Sequence, residues 1–328
     1  MKRTKVNVAL IGCGGFMQWY HLPQLLKDRR VQLTAVADPD PAQITSLLGK
    51  VGRPLPSYAD YREMILSEKL DAVFICTPHS LHYEQARTAL LAGLHVLVQK
   101  PFTIRSDHAI KLTALAEKQS RYLMVAYQRF HHGQAMYARE LIARGHIGDI
   151  RGVACYITQD WDVRALGWRK DPALAGGGFM MDTGSHLVSS MLDITGLKPL
   201  EVTATIENYG DKVDLSSVVT IRFNNGALGS LNFFGTTKLH DECMSIHGTK
   251  GSIVLRAHMW KPHPLLVNDE PITIPARVKS STPDTTFINW ICNGGKGYTP
   301  PLIAIDTIKL TEAAYRSASE KNAVKIRL

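Results

Sequence analysis

The feature that most constrains this chain is a glycine-rich turn, Gly12-Cys13-Gly14-Gly15-Phe16, set between an apolar run and a segment of helical spacing. Val6 to Ile11 reads as a first strand, and Phe16 to Leu26 as the helix that follows it. Peptide N–H groups at a helix start can point at a pyrophosphate only where no side chain blocks its approach. Gly12, Gly14, Gly15 and the amide of Phe16 satisfy that requirement, so strand, turn and helix together describe a dinucleotide site.

Position 17, where a third glycine or alanine would let helix and strand pack closely, is Met17. The turn gains support from Asp38, which ends the second predicted strand about 20 residues further on, where a carboxylate accepts both ribose hydroxyls of adenosine. No Lys or Arg occurs from Val31 through Gly49, so a 2′-phosphate would meet Asp38 without a compensating cation. NAD is therefore expected rather than NADP. The structural alternative for Asp38 is a cap ahead of the helix that starts after Pro39.

The first third alternates short β-branched runs with helical segments. Strands are expected at Val6 to Ile11, Gln32 to Ala37, Ala72 to Cys76, His95 to Val98 and Tyr122 to Ala126. Helices are expected at Pro41 to Gly49, Ala59 to Ser67, Ser80 to Ala92 and Ser106 to Gln119. This alternation predicts an α/β fold with a parallel, doubly wound Rossmann sheet. The carboxyl ends of its strands form the ligand crevice, so Thr77 and Pro78 should line it, with His79 and His82 beside them.

After a helix near Gln134 to Arg144 the pattern changes to long alternating runs at Ile150 to Gln159, Val202 to Asn208, Ser217 to Phe223 and Ala227 to Phe234, then Cys243 to His247 and Ser252 to Leu255. Turn signals at Asn224-Asn225-Gly226 and His247 to Gly251 make these antiparallel, in a second, α+β domain closed by a helix from Ile303 to Ser319. A chain of 328 residues, 45% hydrophobic, also exceeds what one core usually supports. The division expected is 1–126 for the nucleotide domain and 127–328 for the substrate and oligomerisation domain.

Composition narrows the function further. The formal charge of +9 is scattered rather than gathered in a stripe, and no nucleic-acid-binding spacing occurs, so no nucleic-acid partner is expected. The five cysteines lack CxxC spacing, which argues against a disulfide framework or a zinc site and fits a cytoplasmic home; no metal is expected. The basic start, Met1 to Lys5, leads into the first strand rather than a targeting segment. No stretch approaches the roughly 18 to 20 apolar residues of a membrane helix, so no membrane partner is expected.

The strings Thr77-Pro78, His82, Ala92-Gly93-Leu94-His95-Val96 and Gln99-Lys100-Pro101 resemble the glucose-fructose oxidoreductase, inositol dehydrogenase and rhizopine-catabolism (Gfo/Idh/MocA) family. The resemblance resumes at Tyr127-Gln128-Arg129-Phe130, Gly145 to Ile150, Trp168-Arg169, Gly176-Gly177-Gly178 and Asp182-Thr183-Gly184-Ser185-His186, and again at His247 to Gly251, and so covers essentially the whole chain. It implies a C-terminal domain with a large, mostly antiparallel open sheet and a homodimer or homotetramer built on it. It implies substrates that are sugars, inositols or related polyhydroxy compounds, and a lysine, matched by Lys100, that reaches a substrate oxygen. The family usually has Glu where this chain has Gln99, which can still hydrogen-bond a nicotinamide ribose but carries no charge. An aspartate often found three residues after the histidine is Ser189 here.

Moving hydride between a C–H carbon and nicotinamide requires the alcohol proton to leave as the carbonyl forms. His186 is assigned as general acid/base, Asp182, four residues earlier, as its orienting partner, and Lys100 as the polariser of the oxygen, close to the cofactor. A variant makes Lys100 the proton carrier, and the sequence leaves both open. Tyr127, Arg129, Trp161, Arg164, Trp168 and Arg169 are the substrate-binding candidates, with flat apolar faces for a ring and guanidinium forks for hydroxyls; Arg169 is preferred by the resemblance. The expected activity is an NAD-dependent dehydrogenase acting on a secondary hydroxyl. The alternatives are a lyase or isomerase using tightly bound NAD transiently, and a non-catalytic ligand sensor of the same fold.

Overall fold

The computed structural model of the chain describes residues 5–161, 167–259, 261–294 and 301–326. Two compact units emerge: Met1–Thr103 with Asp107–Tyr127 and Ser281–Pro301, and Ile104–Ser106 with Gln128–Ser280 and Leu302–Leu328.

The first unit holds six parallel strands: β1 (Val6–Ile11), β2 (Val31–Ala37), β3 (Ser57–Tyr58), β4 (Ala72–Ile75), β5 (His95–Gln99) and β6 (Leu123–Ala126). Their order is β3-β2-β1-β4-β5-β6, so the chain reverses its direction of travel between β1 and β4, where a doubly wound sheet opens its ligand crevice. β4 and β6 are buried at every position, as strands covered on both faces must be, and their sequences Ala-Val-Phe-Ile and Leu-Met-Val-Ala carry no alternation. The two-residue β3 has no periodicity to betray it.

Helices α1 (Leu22–Lys27), α2 (Pro41–Val51), α3 (Tyr61–Ser67), α4 (His82–Leu91) and α5 (Ser106–Lys118) follow the strands. The cap of α2 is Asp40, whose carboxylate accepts from the Ala42 amide at 2.9 Å, with Pro41 at the first helical position and Gly52 closing the far end at φ 75°. Asp38 is not that cap. Between the glycine turn and α1, residues Met17–His21 form one wide turn of π-helix, which accommodates the fully buried Met17 where the expected regular helix wanted a smaller residue.

Ser281–Pro301 belongs to this unit, although the linear reading gave it to the second domain. Its helix, Pro283–Asn293, is capped by the Thr282 hydroxyl and buries Phe287, Ile288 and Trp290 in the first unit's core, with the Phe287 ring edge-on to Phe74 at 5.5 Å.

The second unit is built on β7 (Ile150–Asp160), β8 (Pro199–Glu207), β9 (Ser216–Phe223), β10 (Leu228–Phe234), β11 (Thr236–Gly248) and β12 (Ser252–His258). Four two-residue strands complete the sheet: β13 (Lys261–Pro262), β14 (Leu266–Val267), β15 (Glu270–Pro271) and β16 (Val324–Lys325). The order is β15-β14-β12-β11-β7-β10-β9-β8-β16, with β13 beside β12. Every pairing is antiparallel except that of β7 with β10. Inward residues such as Val153, Cys155, Val219, Leu231 and Ile246 join the core formed with α6 (Gly133–Ala143), the helix Gly184–Thr195 and the helix Pro301–Glu320. The helix Gly184–Thr195 is buried at all of its residues. No helix among the described residues is long and apolar enough to cross a membrane.

Candidate active site

In the first unit the ends of three strands are tied together. The Gly12 amide donates to the Ala37 carbonyl at 2.9 Å, and the Cys76 amide to the Ile11 carbonyl at 2.8 Å. Asp38 bridges the same corner, its carboxylate accepting from the Cys13 amide at 2.7 Å and the Asp40 amide at 2.9 Å. Cβ atoms built on Gly14 and Gly15 would meet nothing within 4 Å, so the turn presents bare backbone to open space. Backbone N–H groups at a helix start, unobstructed and next to a held carboxylate, fit a dinucleotide's pyrophosphate and ribose. The Phe16 ring stacks on Tyr20 at 5.4 Å. The Cys13 thiol lies under the turn, and burial, reinforced by Asp38 and Cys76, pushes it up to about 12, so it is no nucleophile at neutral pH.

At the end of β4, Thr77 and Pro78 are half-buried and lead into a short 3₁₀ turn, His79–Leu81. The fully buried His82 spans the gap to the next strand end, with Nδ1 2.9 Å from the Pro101 carbonyl and Nε2 3.0 Å from the Thr77 carbonyl. Burial pulls its pKa down to about 4, against the carbonyl contacts that favour its protonated form, so the neutral ring donates through one nitrogen. His82 thus links the loops that carry Thr77 and Lys100. Gln99, the last residue of β5, is buried, and Lys100 follows it, half-buried, at a cis Lys100–Pro101 bond. The Gln99 amide nitrogen lies 2.5 Å from His21 Nε2, and His21 Nδ1 lies 2.6 Å from Asp284 Oδ1. Tyr127, at the end of this unit, is buried.

In the second unit Asp182 lies in the turn just before the helix Gly184–Thr195, and His186 in that helix's first turn. The Asp182 carboxylate accepts from Arg169 Nε at 2.9 Å and from the Trp161 indole N–H at 3.3 Å, and the Arg169 guanidinium lies over the Trp168 ring at 4.4 Å. Three of the substrate-binding candidates are thereby gathered around one carboxylate. Arg164 lies outside the described residues. Arg129 is nearly buried and paired with Glu242. The turn that carries Asp182 is held by Asp214, which accepts from the Gly178 amide at 2.6 Å, the Met180 amide at 2.8 Å and the Tyr315 hydroxyl at 2.5 Å. A Cβ on Gly178 would lie 2.6 Å from the Asp214 nitrogen, so the glycine run is shaped by this packing.

His21, Asp284, Asp214 and Glu242 were not singled out by the sequence. His21 and Asp284 stand 263 positions apart, and no local pattern joins them. The Asp214 contacts likewise link three distant segments.

A Rossmann unit with an open glycine turn and an adjoining acidic residue, and a second unit built on a large mixed sheet, define a two-part dinucleotide-binding protein. The oxidoreductase family profile with the NAD-binding Rossmann fold matches residues 6–127, and the GFO/IDH/MocA C-terminal domain matches residues 135–254. The chain belongs to the Gfo/Idh/MocA oxidoreductase family. It is similar to the 1-carboxy-3-chloro-3,4-dihydroxycyclo hexa-1,5-diene dehydrogenase of Comamonas testosteroni, 28% identical over 238 residues, which are 70% of this chain and 58% of that protein. It is also similar to the D-glucoside 3-dehydrogenase of Escherichia coli K12, 30% identical over 199 residues, 60% of this chain and 56% of the relative. The match thus spans less than two thirds of the length of either relative. The WlbA dehydrogenase from Bordetella pertussis, solved with NADH and UDP-GlcNAcA, shares the fold with a TM-score of 0.87 at 21% identity, covering 100% of this chain and 99% of that one.

Proposed function

We propose that this chain is an NAD-dependent dehydrogenase that acts on a secondary hydroxyl, or the corresponding carbonyl, of a sugar, inositol or sugar-derived acid. The observation that carries the reading is the unobstructed turn at Gly14 and Gly15 beside the Asp38 carboxylate, in a unit of the NAD-binding family. Gly12, Gly14, Gly15 and Phe16 would take the pyrophosphate and Asp38 the adenosine ribose, while Thr77, Pro78 and Gln99 would serve the nicotinamide end. The absence of Lys and Arg from Val31 to Gly49 favours NAD over NADP. When bound, the nicotinamide accepts or supplies the hydride.

Lys100 then steadies the substrate oxygen as its charge changes, and His186 takes or returns the hydroxyl proton. Asp182 is kept as the orienting partner of His186, and its bond to Arg169 gives the guanidinium a fixed position from which to meet hydroxyls. The dehydrogenase names of the two relatives support this chemistry. On the same reading the chain works in the cytoplasm as a homodimer or homotetramer through its large sheet, whose face opposite the core exposes Thr203, Thr205, Val218, Thr220 and Leu228.

The test is an absorbance screen at the NADH band across inositols, aldoses, sugar acids and amino sugars, followed by two variants. Lys100→Ala and His186→Ala are each expected to lower kcat by at least on the order of a hundredfold, with NAD binding by calorimetry retained. Wild-type rates in either variant would remove that residue from the chemistry. Tight NAD binding without turnover on any substrate would favour a ligand sensor instead.

A further inference from the structure

Asp284 and His21 have no role in the reading above, yet they lead to Gln99, the residue beside Lys100. His21 is 0% exposed and walled by aromatic rings, with Phe16, Tyr20 and Phe74 packed edge-on at 5.9, 5.1 and 5.9 Å. Its polar contacts are the Asp284 carboxylate at Nδ1 and the Gln99 amide at Nε2. The titratable groups that face it are Asp284, from the helix Pro283–Asn293, and Tyr20, from its own turn, whose hydroxyl is held protonated by burial and by the Asp284 charge.

Donor and acceptor inventory leaves one consistent arrangement. A carboxylate only accepts, so His21 Nδ1 carries the proton. The Gln99 amide nitrogen only donates, so His21 Nε2 is bare. The Gln99 oxygen, Oε1, is then the atom that accepts from the Lys100 backbone amide, 3.2 Å away. Turning the Gln99 amide over would set donor against donor at Lys100 and demand a second proton on a ring fully out of water. The order Asp284, His21, Gln99, Lys100 is therefore directional at every link.

We propose that His21 is a positioning residue of the nicotinamide end of the site, locked by Asp284 in the Nδ1–H tautomer so that it orients Gln99 and, through it, the start of the Lys100 segment. The inference rests on the reading of this unit as a coenzyme site. It also explains why glutamine suits position 99 here: a glutamate would offer His21 no N–H, and the ring would have to carry two protons between two buried carboxylates. Asp284 Oδ2 has no hydrogen-bond partner among the described residues, so the carboxylate depends on His21 for its one strong contact.

The first measurement needs neither coenzyme nor substrate. In the nitrogen-15 NMR spectrum of the intact protein, the signals lost in His21→Asn are expected to show a protonated Nδ1 and a bare Nε2, the tautomer set by the Asp284 and Gln99 contacts. In Gln99→Glu the Nε2 should instead carry a proton, because the new carboxylate can only accept. A wild-type His21 protonated at Nε2 overturns the proposal. The second measurement compares kinetics: His21→Asn should lower kcat by on the order of tenfold with a much smaller change in substrate KM, because misorientation affects the reacting geometry more than binding. Wild-type protein that binds NAD and turns over, alongside His21→Asn with unchanged kcat, sinks this inference alone. Wild-type protein that fails to bind NAD sinks the functional reading and this inference with it.

Discussion

Gly12 and Gly14 stand two positions apart in one turn and are glycine for different reasons. Gly12 has φ +88°, and a Cβ there would lie 2.5 Å from the Cys76 carbonyl oxygen and 2.8 Å from its carbon, both backbone atoms that cannot swing aside. Gly14 has no positive φ among the described glycines and nothing within 4 Å of where its Cβ would be. Gly12→Ala is thus expected to lower folding stability by about 2 to 4 kcal/mol, the sum of left-handed strain and overpacking. Gly14→Ala should leave stability within about 1 kcal/mol of wild type but weaken NAD binding by on the order of tenfold or more, since its methyl group enters the space a pyrophosphate would fill. Urea midpoints and NAD calorimetry on the two variants separate these effects; the same pattern in both would mean that the turn does not divide its labour in this way. The motif was legible in the sequence as a motif. Which glycine serves the fold and which the ligand depends on the carboxyl end of β4, more than sixty residues away.

The helix Gly184–Thr195 shows the same division at the scale of an element. Buried around its whole circumference, it carries Ser185, His186, Ser189, Ser190, Asp193 and Thr195 out of water alongside its apolar residues. Asp193 accepts from Arg139 of α6 at 2.7 Å, yet burial outweighs that attraction and lifts its pKa to about 6, while the same burial lowers that of Arg139. The folded state therefore binds more protons than the unfolded chain between about pH 4 and 6. The stability contributed by this group is present below pH 4 and is lost as pH rises to 6, an effect of about 3 kcal/mol. Asp193→Asn should flatten that slope in urea unfolding measured from pH 4 to 7; a variant that keeps the wild-type slope would place the titration on another group. The apolar spacing of such an element is visible in a sequence, whereas its polar residues look like a solvated face until the partner elements are known. The same limit explains β13 to β16, each two residues long, and the wide turn at Met17–His21, which begins at the fully buried Met17.

At the scale of the whole chain, the alternation of strands and helices was enough to place five strands of the parallel sheet, though not their order, and the antiparallel hairpins of the second unit followed from their turn residues. What the linear order concealed is that the first unit is not finished at Tyr127. Residues 281–301 return to it, and their helix Pro283–Asn293 supplies Phe287, Ile288, Trp290, Ile291 and Cys292 to the cluster that also holds Val6, Leu10, Phe74 and Leu97. The helix Pro283–Asn293 was not among the expected elements, and sequence separation of this size leaves no periodic signal that would tie it to the first unit. The consequence is a dependence of the coenzyme unit on residues encoded near the other end of the chain. Phe287→Ala, which removes a fully buried ring packed on Phe74, is expected to lower stability by about 3 to 5 kcal/mol. A fragment that stops at Tyr127 loses the whole helix, and with it the Asp284 contact that holds His21. Such a fragment should lack a cooperative thermal transition by circular dichroism and bind a dye for exposed apolar surface, and joining residues 281–294 to it through a flexible linker should restore the transition. A fragment 1–127 that unfolds cooperatively at the temperature of the intact protein would show that the returning helix merely covers a unit already complete.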